Sequence, residues 1–161
     1  ADRLEPLVAA AVDGEITTEQ QAELLRAGRL AELDVAHLLE EVEDMGREQK
    51  VALQSLIRMI LVHLLKLDFS PAREPRPKWT EEVMELRAQA ESRIEDTPSL
   101  AHYADELYRK AWPQARRIAD RSLAAYGEQF ALPDACPYSL EQVLAPGFRP
   151  VPGSGPDGAE D

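Results

Sequence analysis

Between Asp34 and Ser70 the chain contains no proline, and through this stretch apolar side chains return at helical spacing. Leu38, Val42, Met45, Gln49, Ala52, Leu56, Met59, His63 and Leu67 follow one another in steps of four and three residues. Such a heptad-like seam belongs to a helix that lays one face against another helix. Leu53, Ile57, Ile60 and Leu64 widen the apolar stripe in its second half. Asp34 is placed to cap the helix. The pattern predicts one long helix over residues 35–68, about 50 Å in length at 1.5 Å per residue. Gly46 is its weak point, costing about 1 kcal/mol against alanine, and a break at Gly46 is the alternative reading.

The neighbouring segments are shorter and also helical. Thr17 and Thr18 each have a glutamine three residues on, Gln20 and Gln21, which is the capping-box spacing. That helix carries Leu24 and Leu25 and stops at Gly28, a residue suited to a left-handed end. Pro71, Pro75 and Pro77 force a loop over Ser70–Lys78. A third helix is expected over residues 78–94, with Trp79, Val83, Leu86, Ala90 and Ile94 inward. Thr97-Pro98 signals the start of a fourth, which carries Leu100, Tyr103, Leu107, Ala111, Ala115, Ile118 and Leu123. Pro113 is expected to kink or split it. Ser139, with Gln142 three residues on, opens a short helix. No alternating strand pattern occurs, so the expected fold is all-α, a small helical bundle built on the long helix. Residues 1–16 are expected to be a loosely ordered opening, residues 17–150 one helical domain, and residues 151–161 a disordered tail poor in side chains to bury.

Charge narrows the function classes. The net charge of −12 is unevenly spread. Residues 1–46 carry 12 acids against 3 bases, residues 47–121 carry 14 bases against 12 acids, and residues 122–161 carry 6 acids against 1 base. Acidic ends disfavour a nucleic-acid partner, because phosphate affinity rests on clustered Lys and Arg. Local basic groups remain: Arg73, Arg76 and Lys78 in the proline loop, and Arg116, Arg117 and Arg121 farther on. Both read first as solvated charges. No apolar run approaches the length of about 20 residues that a membrane span needs, so no membrane partner is expected. The single cysteine, Cys136, fits a reducing compartment, and with no leader pattern in view a cytoplasmic protein is expected.

Several stretches, taken together, resemble a known group. They are Leu24-Leu25-Arg26-Ala27-Gly28-Arg29, Leu39-Glu40-Glu41-Val42-Glu43-Asp44-Met45-Gly46-Arg47, His63-Leu64-Leu65-Lys66, Asp96-Thr97-Pro98-Ser99-Leu100 and Cys136-Pro137-Tyr138-Ser139-Leu140-Glu141-Gln142. In order and spacing the chain resembles the bacterial family termed domain of unknown function 29, over about residues 18–150. The resemblance implies a helical fold and carries no activity. Leu67 stands where members of that family tend to have an aromatic residue, and residues 1–16 lack the aromatics that the family tends to show near its start.

Reactive groups are present but scattered. His37 and Glu41 are four residues apart and share a helical face. Glu40, Glu41, Glu43 and Asp44, with His37 one turn upstream, make an acidic stripe of the kind from which bundle metal sites are built. His63 lies on the apolar seam. On one unbroken helix it stands about 33 Å from Glu41, and a fold-back at Gly46 still leaves an axial mismatch of about 18 Å. His102 is likewise out of register with His63. Only an antiparallel homodimer of long helices, centred near Val51, would bring His63 of one chain to the level of Glu40 and Glu41 of the other. That arrangement is the alternative reading: a metal-binding helical protein or enzyme using His37, Glu40, Glu41, Asp44 and His63. Otherwise His63 is a hydrogen-bonded core histidine and the acids are a solvated face. Cys136 has no neighbouring histidine to activate it, and no phosphate loop, dinucleotide fingerprint or nucleophile elbow is present. No catalytic residue and no cofactor are expected. The first reading is therefore a non-catalytic module that binds a protein partner or self-associates, with Met45, Gln49, Leu56 and Trp79 as the expected partner-binding positions.

Overall fold

The computed structural model describes residues 16–125, 127 and 131–152. The expected loose opening and disordered tail lie outside the described residues, apart from Ile16, Val151 and Pro152. Within them the chain is all-α, with helices α1 (Thr18–Arg26), α2 (Val35–Phe69), α3 (Arg76–Asp96), α4 (Ala104–Ala125) and α5 (Leu140–Leu144). Short 3-10 turns stand at Leu30–Glu32 and Pro98–Tyr103. No helix among the described residues is long and apolar enough to cross a membrane.

The chain divides into two compact units, Ala1–Glu48 and Gln49–Asp161. In the first, Thr17 caps α1 through a reciprocal box: its hydroxyl accepts from Gln20 N at 3.2 Å, and Gln20 Oε1 accepts from Thr17 N at 2.7 Å. Gly28 adopts a φ of 72° at the other end. There Gly28 N donates to Leu25 O and Arg29 N to Leu24 O, the double closure of a Schellman stop. Buried Gln21 then ties α1 to the start of α2. Its amide donates to Asp34 O at 2.8 Å and accepts from Asp34 N at 3.1 Å. Asp34 caps α2 as expected, its carboxylate accepting from His37 N at 3.3 Å and pairing with the His37 ring. Helix α2 continues through Gly46 without a break.

The second unit is organised by the C-terminal half of α2. Ile60, Leu61, Val62, Leu64 and Leu65 are consecutive or nearly so and fully buried, as are Leu53 and Ile57. A helix that is apolar all round has to be covered all round. Trp79, Val83 and Ala90 of α3 supply part of the cover. Leu107, Ala111, Ala115, Ala119 and Leu123 of α4, with Leu132, Tyr138 and Val143 beyond it, complete the same cluster. The three alanines, spaced by four, leave α4 a smooth face that permits close approach. Pro113 lies on the exposed side of α4 and does not split it. The carbonyl it deprives of a partner belongs to exposed Arg109, where water can serve. Thr97 makes no side-chain cap, and the chain instead enters α4 through the 3-10 turn.

The C-terminal segment is fastened by polar groups. Arg87 of α3 is buried, and its guanidinium donates to Val143 O at 2.8 Å, Phe148 O at 2.9 Å and Gln142 O at 3.0 Å. Trp112 Nε1 donates to Asp134 O at 2.9 Å, and Arg116 donates to Pro133 O and Leu132 O. Helix α5 carries the second capping box, with Ser139 and Gln142 satisfying each other's backbone N–H groups.

Two stability outcomes follow from this architecture. Nothing lies within 4 Å of a β-carbon built on Gly46, so Gly46→Ala should raise helix stability by about 1 kcal/mol, read as a higher urea midpoint in far-ultraviolet circular dichroism. An unchanged or lower midpoint would contradict a continuous α2. Arg87→Ala leaves three carbonyls without their charged donor and should cost about 3 kcal/mol in the same measurement.

Candidate functional sites

The expected site residues fall into both units. In the first, His37 is exposed and paired with Asp34, whose carboxyl the His37 hydrogen bonds hold below the usual carboxylate range. Glu40 is exposed, Asp44 pairs with Arg47 at 2.6 Å, and half-buried Glu41 accepts from the Thr18 hydroxyl at 3.0 Å through one oxygen. His63 lies in the second unit. It is 8 % exposed, and its Nε2 is 3.1 Å from Glu82 of α3. Burial, the largest influence, pulls its pKa below the ordinary histidine value, against the pull of Glu82. No group of three or more metal-capable side chains comes together among the described residues. Of the expected partner-binding positions, Met45 is exposed. Gln49 is half-buried beside Arg93, while Leu56 packs against the core and Trp79 belongs to it, with the Lys66 ammonium 5.7 Å from its ring centroid.

Two surfaces emerge from the side chains. The first is a face of α2 within the first unit. Val35, Leu39, Val42 and Met45, separated by four, three and three residues, are 55 to 65 % exposed, whereas single exposed apolar residues are common and uninformative. Around them, residues 35–48 hold five acids and one base, Arg47, which is already paired with Asp44.

The second surface is at the C-terminal end of α2. Asp68 is buried, and the Tyr138 hydroxyl donates to its Oδ2 at 2.8 Å while lying 3.2 Å from Leu64 O. Tyr138 in turn receives, at its backbone oxygen, the hydroxyl of Tyr108 and the thiol of Cys136, the latter at 3.3 Å. A cleft of about 630 Å³ opens here, lined by Asp68, Cys136, Tyr138, Phe148 and Arg149 among others. Burial moves both phenols and the thiol upward, away from ionisation near neutrality. These groups are therefore hydrogen-bond donors and poor nucleophiles, since the thiolate and not the thiol attacks. Asp68 moves toward neutrality: burial raises its pKa, outweighing the Tyr138 hydrogen bond and the charge of Arg76. A second cleft, of about 520 Å³, adjoins the first through Arg149 and Pro150 and is also lined by Leu67, Arg73, Arg76 and Thr80.

Sequence reading passed over Asp68, Arg87, Tyr138 and Arg149. Two of these had a signal. Arg87 stands four residues after Val83 and three before Ala90, and Asp68 stands four after Leu64. Each is thus a charged residue at an apolar-face position, where burial demands a partner.

The pH dependence of Asp68 is testable. A carboxyl raised on folding keeps its proton longer in the folded chain than in the unfolded one, so stability falls as pH rises above about 4 toward the folded value. Asp68→Asn can still accept from Tyr138 and carries no charge. Its stability relative to the parent should grow from pH 4 to pH 7 in urea titrations. A difference independent of pH would show that Asp68 is not the titrating group.

Compared with known families, residues 13–149 match the family described as domain of unknown function DUF29. No curated protein and no solved structure matches the chain.

Proposed function

Since the chain belongs to the DUF29 family, whose description assigns it no activity, we propose from its own surfaces that it is a non-catalytic protein-interaction module. In this reading it docks an amphipathic helix of a partner protein, rich in Lys and Arg, on the Val35–Met45 face of α2. The observation that carries the reading is that face: four large apolar side chains at helical spacing, each more than half exposed. Neighbouring side chains at such spacing offer the seam that a second helix fills. Gly46 continues the same face, four residues after Val42 and seven after Leu39, and its lack of a side chain lets a partner backbone approach.

Charge selects the occupant. Glu40, Glu43, Asp44 and Glu48 are exposed beside the apolar stripe, and Arg47 is held by Asp44. A second copy of this face would bring acids against acids, which costs free energy in a desolvated contact. A helix with an apolar seam and basic flanks meets both features at once. Binding of this kind weakens as salt screens the flanking charges.

The test is photo-crosslinking in the native host, with benzoylphenylalanine in place of Val42, followed by mass spectrometry of the joined peptides. The expected product joins position 42 to a helical, net-basic segment of another protein. Its yield should fall several-fold with the double change Leu39→Asp and Met45→Asp, at unchanged helicity. Crosslinks to a second copy, to residues 1–15 of the same chain, or to acidic or extended segments would overturn the assignment.

A further inference from the structure

We propose that the cleft formed by Arg73, Arg76 and Arg149 in the second unit is a binding site for the phosphoryl group of a small molecule. The site is independent of the helix-docking face, and the partner reading can fail without affecting it.

The placement of charge is the first support. The chain as a whole carries −12, yet three guanidinium-bearing residues line one cleft of about 520 Å³. Neither Arg73 nor Arg149 has an ion-pair partner among the described residues. A like-charge gathering of this kind is unfavourable unless an anion neutralises it. Further positive charge lies close by, for Arg87 is held below the ordinary guanidinium value first by burial and then by the charge of Arg149. Asp68 is the acid on which Arg76 acts, and its carboxylate is committed to Tyr138.

The construction of the cleft is the second support. Arg76 donates through Nη2 to Leu67 O at 2.6 Å and through Nη1 to Ser70 O at 3.1 Å, which fixes the proline loop against the end of α2. A guanidinium has five N–H donors, so Arg76 can brace the loop and still face an anion. Pro71, Pro75 and Pro77 restrict the backbone that carries Arg73 and Arg76. The first turn of α3, a helix of 21 residues, lines the cleft through Arg76, Pro77 and Thr80. Arg76 N and Trp79 N there already donate to Arg73 O and Pro75 O, so what the helix start adds to the field is its partial positive charge. The Thr80 hydroxyl is spent on Arg76 O at 2.9 Å and is not counted as a ligand.

Guanidinium forks match the oxygen geometry of a phosphoryl group and bind it through paired charge-assisted hydrogen bonds. The volume accommodates a compact ester or a diphosphate. A nucleic-acid strand would need the basic surface to extend along its backbone, and the chain's acidic ends oppose that.

Isothermal titration of the full chain with pyrophosphate, at fixed ionic strength, tests the site. Inorganic phosphate and a single-stranded oligonucleotide serve as the other two arms. Saturable binding of pyrophosphate is expected, with weaker binding of inorganic phosphate. Arg73→Gln and Arg149→Gln should each weaken pyrophosphate at least tenfold. Arg121→Gln, which removes the same charge from the exposed side of α4, should leave the affinity unchanged. Circular dichroism establishes that each variant is folded. Absence of pyrophosphate binding to the parent chain would overturn the proposal. So would equal affinity in the Arg73, Arg149 and Arg121 variants, or binding of the oligonucleotide without pyrophosphate.

Discussion

The all-round burial of α2 between Ile60 and Leu65 is the constraint from which the second unit takes its form. A helix covered on one side shows an apolar stripe and a polar stripe, and its neighbours can be few. Here Leu61 and Val62 are fully buried along with Ile60, Leu64 and Leu65, so no direction around the axis is left to water. Two further helices cannot close the circumference by themselves. The segment after α4, with Leu132, Tyr138 and Val143, is drawn into the same cluster. Its retention depends less on its own helicity, since α5 spans five residues, than on what holds it down.

Polar side chains do that holding. Arg87 reaches three carbonyls of the C-terminal segment, Arg116 reaches two before it, and Tyr138 reaches back to Asp68 and Leu64 of α2. Apolar contact drives the segment inward without fixing its register, because the hydrophobic effect has no direction. A buried guanidinium that lacked its carbonyls would cost several kcal/mol, so the segment is confined to the one path that satisfies Arg87. The same logic places His63 opposite Glu82 and Gln21 across Asp34. In each case a polar group inside an apolar surround selects one geometry among those that greasy packing would tolerate.

The long helix, its Asp34 cap, both capping boxes and the Gly28 stop were legible in the sequence because they rest on local chemistry. A cap needs one side chain and a backbone N–H three residues away. What local spacing could not show was which flank of α2 meets the core. The seam through Ala52, Leu56 and Met59 is half-buried, while Leu53, Ile57 and Ile60, read as its widening, form the centre. The reason is that cover arrives from α3, α4 and the C-terminal segment together, and a heptad anticipates one neighbour. Trp79 reads from the sequence both as an inward residue of its helix and as a partner-binding position, and it lies in the core with Lys66 over its ring. The Arg73–Arg76–Arg149 cleft joins residues some seventy positions apart, so only its first two members could be seen as a group.

The contrast between the two parts of α2 is the basis for reading its N-terminal half as an interaction surface. In each part the apolar residues keep to a track of helical spacing, Val35, Leu39 and Val42 in the first and Leu53, Ile57 and Ile60 in the second. The track in the second unit is buried, and the one over Val35–Met45 is exposed. Helix propensity gives no reason for valine there, because β-branched side chains lose rotamer freedom in a helix. Solubility gives none either, because charged residues at those positions would serve better. Packing is the physical gain that Val35, Leu39, Val42 and Met45 offer together, and it is realised only against another apolar surface.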